Sequence, residues 1–171
     1  LAAGEPPART LVFLLATGEE IGLVGTRYYL EHPAEPLETT VANLNFEMIG
    51  RPDALAGGPG HLWLTGFERS NLGPAFAELG LPLVADPRPE QNFFQRSDNY
   101  AFALRGIVAQ TLSSYDLHED YHTVRDEADT LDYDHLAACV EASIDGARAL
   151  ADGRLTPEWS PGANPARDAD R

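Results

Sequence analysis

Residues Thr10 to Glu31 read TLVFLLATGEEIGLVGTRYYLE, and the fold is decided by how this stretch is read. Thr10 to Thr17 is an almost unbroken apolar run, the pattern of a strand buried on both faces in a parallel sheet covered by helices. Gly18-Glu19-Glu20 interrupts it. From Leu23 to Glu31 apolar residues return at helical spacing and stop before His32-Pro33.

Working outward, Thr39 to Ile49 (TTVANLNFEMI) predicts a second strand, stopped by Gly50-Arg51-Pro52, and His61 to Thr65 predicts a third. Asn71 to Leu79 predicts a short helix ending at Gly80. Ser97-Asp98-Asn99 has the chemistry of a helix start, with Tyr100 to Leu104 as the body and Gly106 as the stop. Ile107 to Leu112 predicts a fourth strand. Leu136, Val140, Ile144 and Ala147 mark the apolar face of a last helix over Asp132 to Ala151. Residues 153–171 are polar and rich in Gly and Pro, which predicts a disordered tail after a domain at 1–152. Strands alternating with helices predict an α/β fold: three layers, with a mostly parallel, mixed sheet flanked by helices. In such sheets ligands collect at the carboxyl ends of the strands.

Composition narrows the partners. The 171 residues are 43% hydrophobic and 23% charged, as in an ordinary globular domain. Twelve basic residues, all Arg, against 27 acidic ones leave a net charge of −15. That balance disfavours a nucleic acid or an anionic membrane as partner and suits cationic ligands or metal ions. The longest apolar stretch is far short of the roughly 20 residues a membrane helix needs. One Cys, Cys139, excludes an internal disulfide and any Cys-based zinc cluster. The chain opens on Leu1 without a signal-type segment, so a mature or truncated product is expected.

Three strand ends carry unusual polar groups. Glu19 and Glu20 leave the first strand together, Glu47 interrupts the apolar end of the second, and Asp116 to His122 (DLHEDYH) follows the fourth. A Glu inside a buried strand is costly unless paired, neutralised or bound to a cation. Carboxylates with imidazoles suit zinc or a similar divalent ion. Of two neighbouring Glu, one can then hold the metal while the other takes a proton from an activated water. Each feature alone also has a plain reading. A Glu pair can be a solvated turn, Glu47 can salt-bridge an Arg such as Arg51, and His118 with His122 can be an incidental loop pair. His32, His61 and His135 are expected at the surface. Phe93, Phe94 and Tyr115 can line a pocket or the core.

Together, ATGEEIGLVGTRYYL, NLNFEMIGR, RSDNYAFALRGI and DYHTVRDEADTLDY, in this order, resemble the zinc-dependent exopeptidases related to bacterial leucyl aminopeptidases. Glutamate carboxypeptidase II and the glutaminyl cyclases are relatives of that family. The resemblance runs from about Arg9 to Leu150. It implies a hydrolase-like zinc exopeptidase architecture, two zinc ions, and a peptide as substrate. By position, Glu19 matches the general base and Glu20 a ligand of the first zinc. Glu47 stands where the family usually has an Asp as ligand of the second, and His122 matches a ligand on the same zinc as Glu20. Tyr121 matches a position that in some members hydrogen-bonds the tetrahedral intermediate. Asp98 and Asp126 fall in family words as supporting rather than ligating residues.

The family's upstream metal word, which supplies a His and the Asp bridging both ions, has no counterpart before Glu19. The expectation is therefore an N-terminally truncated member, inactive by itself, whose complete domain is an aminopeptidase. Glutaminyl cyclization by acyl transfer is the alternative enzyme, and a non-catalytic peptidase-like interaction module is the alternative without chemistry. The resemblance implies a secreted or periplasmic address.

Overall fold

A computed structural model describes residues 5–114 and 117–167. Tyr115 and Asp116 lie outside the described residues, as do 168–171 of the expected tail. The sheet is organised by β4 (Val108–Ser113), every residue of which is buried. Its neighbour β1 (Ala42–Phe46) runs parallel to it, with Ala42 opposite Val108 and Phe46 opposite Leu112. On the other side β2 (Leu62–Leu64) runs antiparallel, Leu64 facing Leu112, and β3 (Leu83–Ala85) pairs parallel with β2. The order is β1-β4-β2-β3, a mixed sheet.

Side chains alternate along β4, so Val108 and Leu112 point to one face and Ala109 to the other. On the first face α2 (Leu72–Glu78) and α4 (Tyr133–Ala151) close a core of Leu62, Leu64, Leu72, Phe76, Leu112 and Cys139. On the second, α1 (Val24–Glu31) and α3 (Asp98–Ala103) bring Leu30, Phe102 and Ala103 to Ala109 and Phe94. Each Leu or Phe fully buried this way contributes about 1.5–3 kcal/mol. Three layers follow. None of the described helices is long and apolar enough to cross a membrane.

Four expectations change. Thr10 to Thr17 is not a buried strand: it pairs with no other strand, and Phe13 and Leu15 are 74% and 90% exposed. Among the described residues the segment is tied at its ends. Arg9 donates to the carbonyls of Leu150 (2.6 Å) and Leu155 (2.8 Å), and Thr17 O accepts from Gly25 N (2.7 Å). An apolar run is buried only when other elements flank it, and among the described residues none does. The face of α4 is also displaced. His135, Cys139, Ala142, Ser143 and Gly146 are buried, whereas Val140 is 43% exposed. Small side chains let the helix approach closely: a Cβ on Gly146 would lie 3.1 Å from Leu81 Cδ2 and 3.4 Å from the Phe76 ring. β3 was not anticipated.

The expected disordered tail is, over residues 155–160, part of the body. Ser160 N donates to Arg69 O (2.8 Å), Asn71 and Glu158 exchange backbone and side-chain hydrogen bonds, and Trp159 Nε1 donates to Gly106 O (2.9 Å). Trp159 also meets Phe94 edge-on at 6.2 Å. A polar average concealed one large aromatic anchor.

Candidate active site

Glu19 and Glu20 sit on the turn between the apolar run and α1. Gly22 and Leu23 both return their N–H groups to Glu19 O (3.0 Å each), and Val24 N bonds Gly18 O (3.1 Å). The turn requires left-handed backbone at Gly22 (φ 106°), which glycine adopts without strain. Gly25 is required for another reason. A Cβ there would lie 2.5 Å from Thr17 N and 2.8 Å from Thr17 O, so α1 starts against its own incoming strand-like segment.

Glu47 follows β1 directly. Its carboxylate accepts a short hydrogen bond from Ser97 Oγ, and Ser97 Oγ in turn accepts from Asn45 Nδ2 (2.9 Å). Asn45 Nδ2 also reaches Thr111 Oγ1 on β4 (3.1 Å), and Thr111 donates to Asn99 Oδ1 (2.9 Å). Ser97 occupies the cap position of α3 but makes no cap hydrogen bond, because its hydroxyl is committed to Glu47. Asp98, the first residue of α3, has a buried Oδ1 with no hydrogen-bond partner. The plain reading of Glu47 as a partner of Arg51 does not hold, since Arg51 bonds Asp126 instead (2.7 Å).

The loop after β4 brings in the imidazoles. His122 Nε2 lies 2.6 Å from Glu20 Oε1, joining residues 102 positions apart in the chain. Tyr121 stacks on His122 with centroids 3.7 Å apart, and His118 meets Tyr121 edge-on at 6.2 Å. His118 pairs with Asp126 (3.6 Å), so the two imidazoles of the loop serve different carboxylates. These residues line a cleft of about 360 Å³ with Met48, Gly50, Arg51 and Leu131. Leu23, Met48 and His122 have positive φ (58°, 50° and 58°), conformations that cost about 1–2 kcal/mol in residues other than glycine. All three are within three residues of Glu20, Glu47 or Tyr121. Such strain persists where the surroundings over-determine it, commonly at functional sites.

The electrostatics are dominated by crowded carboxylates. Burial first, then Glu20, Glu47 and Asp98, push the Glu19 carboxyl above its ordinary range, with His122 opposing. Glu47 is likewise raised, mainly by burial, although the Ser97 hydrogen bond opposes this. Burial and the nearby charges of Glu20 and Glu19 raise Tyr121, which therefore remains a phenol and a hydrogen-bond donor. Glu19 is poised to accept a proton, and the cluster as a whole favours a cation.

The donor chemistry fits a divalent metal, and the partnerless buried Oδ1 of Asp98 adds to the excess of negative charge that a cation would offset. The fit is partial. Among the described residues no three His, Cys, Asp or Glu side chains converge to hold an ion. Glu20 and His122 supply two donors, where catalytic zinc takes three from protein. Two ligands of one tetrahedral zinc stand about 3.3 Å apart. To hold a zinc ion the 2.6 Å contact would have to open slightly, which two half-exposed side chains (63% and 53%) can do by rotation. Glu47 is held by Ser97 and feels the charge of Glu20.

Sequence reasoning missed Ser97 and Asn45 as members of this region, and it offered Arg51 to Glu47 where the structure pairs it with Asp126. Nothing in a helix-cap serine or a strand asparagine distinguishes such roles before the strands are paired. It also misplaced His135, which is buried at 2% exposure, accepts from Gly60 N at Nδ1 (2.8 Å) and sits against Cys139. Phe94 is core, and Phe93 packs on Trp63 at 5.3 Å beneath the Arg96 guanidinium.

Comparison with known proteins bears on the fold and the family. The chain resembles an aminopeptidase from Aneurinibacillus sp. strain AM-1, with 22% identity and a TM-score of 0.59 over 80% of this chain and 32% of that one. It also resembles BSAP, a zinc aminopeptidase from Bacillus subtilis, with 19% identity and a TM-score of 0.57 over 77% of this chain and 34% of that one. The chain thus spans about a third of the length of each of these structures. No curated protein sequence matches it. At these identities the structures establish a shared fold. The sequence profile of peptidase family M28 matches residues 1–147, most of the chain and every residue of the carboxylate and imidazole cluster, and the chain belongs to that family.

Proposed function

We propose that residues 1–152 form the C-terminal portion of the catalytic domain of a zinc-dependent aminopeptidase, with Glu20 and His122 holding one zinc ion and Glu47 contributing to a second. The observation that carries this is the meeting of Glu20 and His122 beside a Glu19 held above the ordinary carboxylate range. The two-donor corner and the uncovered apolar run leading into Glu19 support a site completed by further polypeptide.

A zinc ion held by Glu20 and His122 would supply acidity to a bound water and polarisation to a carbonyl. Glu19 takes the proton of the attacking water and delivers it to the departing amine, for which a raised pKa is the suitable tuning. The Tyr121 hydroxyl donates to the oxyanion that develops on the scissile carbonyl. The surrounding carboxylates suit the free α-ammonium of a peptide N-terminus.

Elemental analysis of the zinc-loaded, desalted chain tests this directly. At most one ion, weakly held, is expected, lost in Glu20→Ala and His122→Ala and retained in Glu19→Ala. Full zinc in either ligand variant refutes the ligand roles, and two tightly held ions refute the partial site. In the complete domain, turnover of an aminoacyl p-nitroanilide is expected to fall about 10²–10⁴-fold in Glu19→Ala. Zinc loss in parallel with turnover refutes Glu19 as the base.

A further inference from the structure

Glu20 belongs to a turn closed by backbone hydrogen bonds, but His122 lies on the loop after β4 in a left-handed conformation (φ 58°). Such a residue holds its place only if the loop is fastened from outside. The fastening comes from the exit of β1. Ser114, fully buried at the end of β4, donates its hydroxyl to Met48 O (3.0 Å) and Arg51 O (2.8 Å), fixing that exit to the sheet. From there the Arg51 guanidinium reaches Asp126 Oδ1 (2.7 Å) and, through a short hydrogen bond, Thr130 Oγ1. Gly50 O accepts from Asp132 N (3.0 Å), closing the far end of the loop. The other Asp126 oxygen faces His118 Nε2 at 3.6 Å. His118 and Asp126 stand four residues before and after His122, so one carboxylate draws both shoulders of the loop together.

We propose that Arg51 is a positioning residue for the active site: acting through Asp126, it sets where His122 and Tyr121 stand against Glu20. This rests on the proposed ligand roles of Glu20 and His122. One guanidinium nitrogen, Nη2, serves both Asp126 and Thr130, its two N–H groups aimed by the guanidinium plane, whereas the donors of an ammonium rotate freely.

The test compares Arg51→Met, Arg51→Lys and Asp126→Asn with Arg88→Met, which breaks the buried pair of Arg88 with Asp53 elsewhere in the fold. Zinc affinity is measured by competition with a chromophoric chelator, and amide exchange over 117–131 by mass spectrometry in zinc-free protein. Arg51→Met is expected to weaken zinc binding about 10-fold or more, the usual effect of losing a partner behind a metal ligand. Exchange over 117–131 accelerates alongside. Arg51→Lys recovers part of both, and Arg88→Met leaves both within about twofold of the parent, whatever its effect on stability. If Arg51→Met does not fold, Asp126→Asn carries the comparison. Unchanged zinc affinity and exchange in the Arg51 and Asp126 variants overturn the proposal, as does an equal loss in Arg88→Met. If the parent chain takes up no zinc, the exchange data alone decide whether Arg51 fastens the loop, and unchanged exchange overturns the proposal.

Discussion

Gly25→Ala tests the close approach on which the Glu19–Glu20 turn depends. In an ordinary helix this change stabilises by up to about 1 kcal/mol, because alanine loses less backbone entropy. Here the new Cβ would stand 2.5 Å from Thr17 N, 2.8 Å from Thr17 O and 3.3 Å from Ala16 Cα. All three are backbone atoms, so no rotamer change relieves the overlap and α1 must shift by several tenths of an ångström. Overpacking of this kind costs about 1–3 kcal/mol. The shift also stretches the 2.7 Å hydrogen bond from Gly25 N to Thr17 O, worth about 0.5–1.5 kcal/mol. Against the propensity gain, the net expectation is a destabilisation of about 1–3 kcal/mol, or roughly 2–10 °C in Tm for a chain of this size. Urea titration followed by far-UV circular dichroism reads it, with Gly146→Ala as the comparison. There the closest contact is a side-chain methyl of Leu81 at 3.1 Å, which can move, so the cost is smaller. A Gly25→Ala protein that gains stability refutes the close packing of α1 on residues 16–17.

Trp159→Ala removes the anchor of the C-terminal segment and is expected to cost about 2–4 kcal/mol, with amide protection over 155–160 lost. An unchanged urea midpoint would mean that this segment does not belong to the folded body. Burial lowers the pKa of His135, so the unfolded chain binds its proton more readily. Stability from this residue is therefore full above the unfolded value of about 6.5 and is lost as pH falls below it towards the folded pKa. Urea midpoints with EDTA present should decline from about pH 6.5 downward, and His135→Gln should flatten that decline. An identical slope in the variant assigns the acid sensitivity to other groups.

Local sequence signals served well where structure is local. Gly80, His32-Pro33 and Asp132 punctuate helices where expected, and Asp132 caps α4 by accepting from His135 N (2.9 Å). Strand lengths were overestimated because Thr39 enters a 3₁₀ turn and Met48 turns left-handed, leaving only Ala42–Phe46 in β1. Helix α4 shows the limit of periodicity. Leu136, Val140, Ile144 and Ala147 have helical spacing, yet the face that packs is the one whose small residues admit the sheet.

By itself the sequence determined the α/β class, the helices and their stops, and the four words that identify the family, since these depend on residue type and spacing along the chain. Tertiary structure alone decided that Glu20 meets His122 across 102 residues, that Ser97 serves Glu47 rather than its own helix, and that Arg51 turns to Asp126. It also decided that Thr10 to Thr17, the most strand-like run in the chain, lies uncovered. The physical reason is common to all four. Hydrophobicity and hydrogen-bonding capacity belong to a residue, but burial and pairing belong to whatever the fold places beside it.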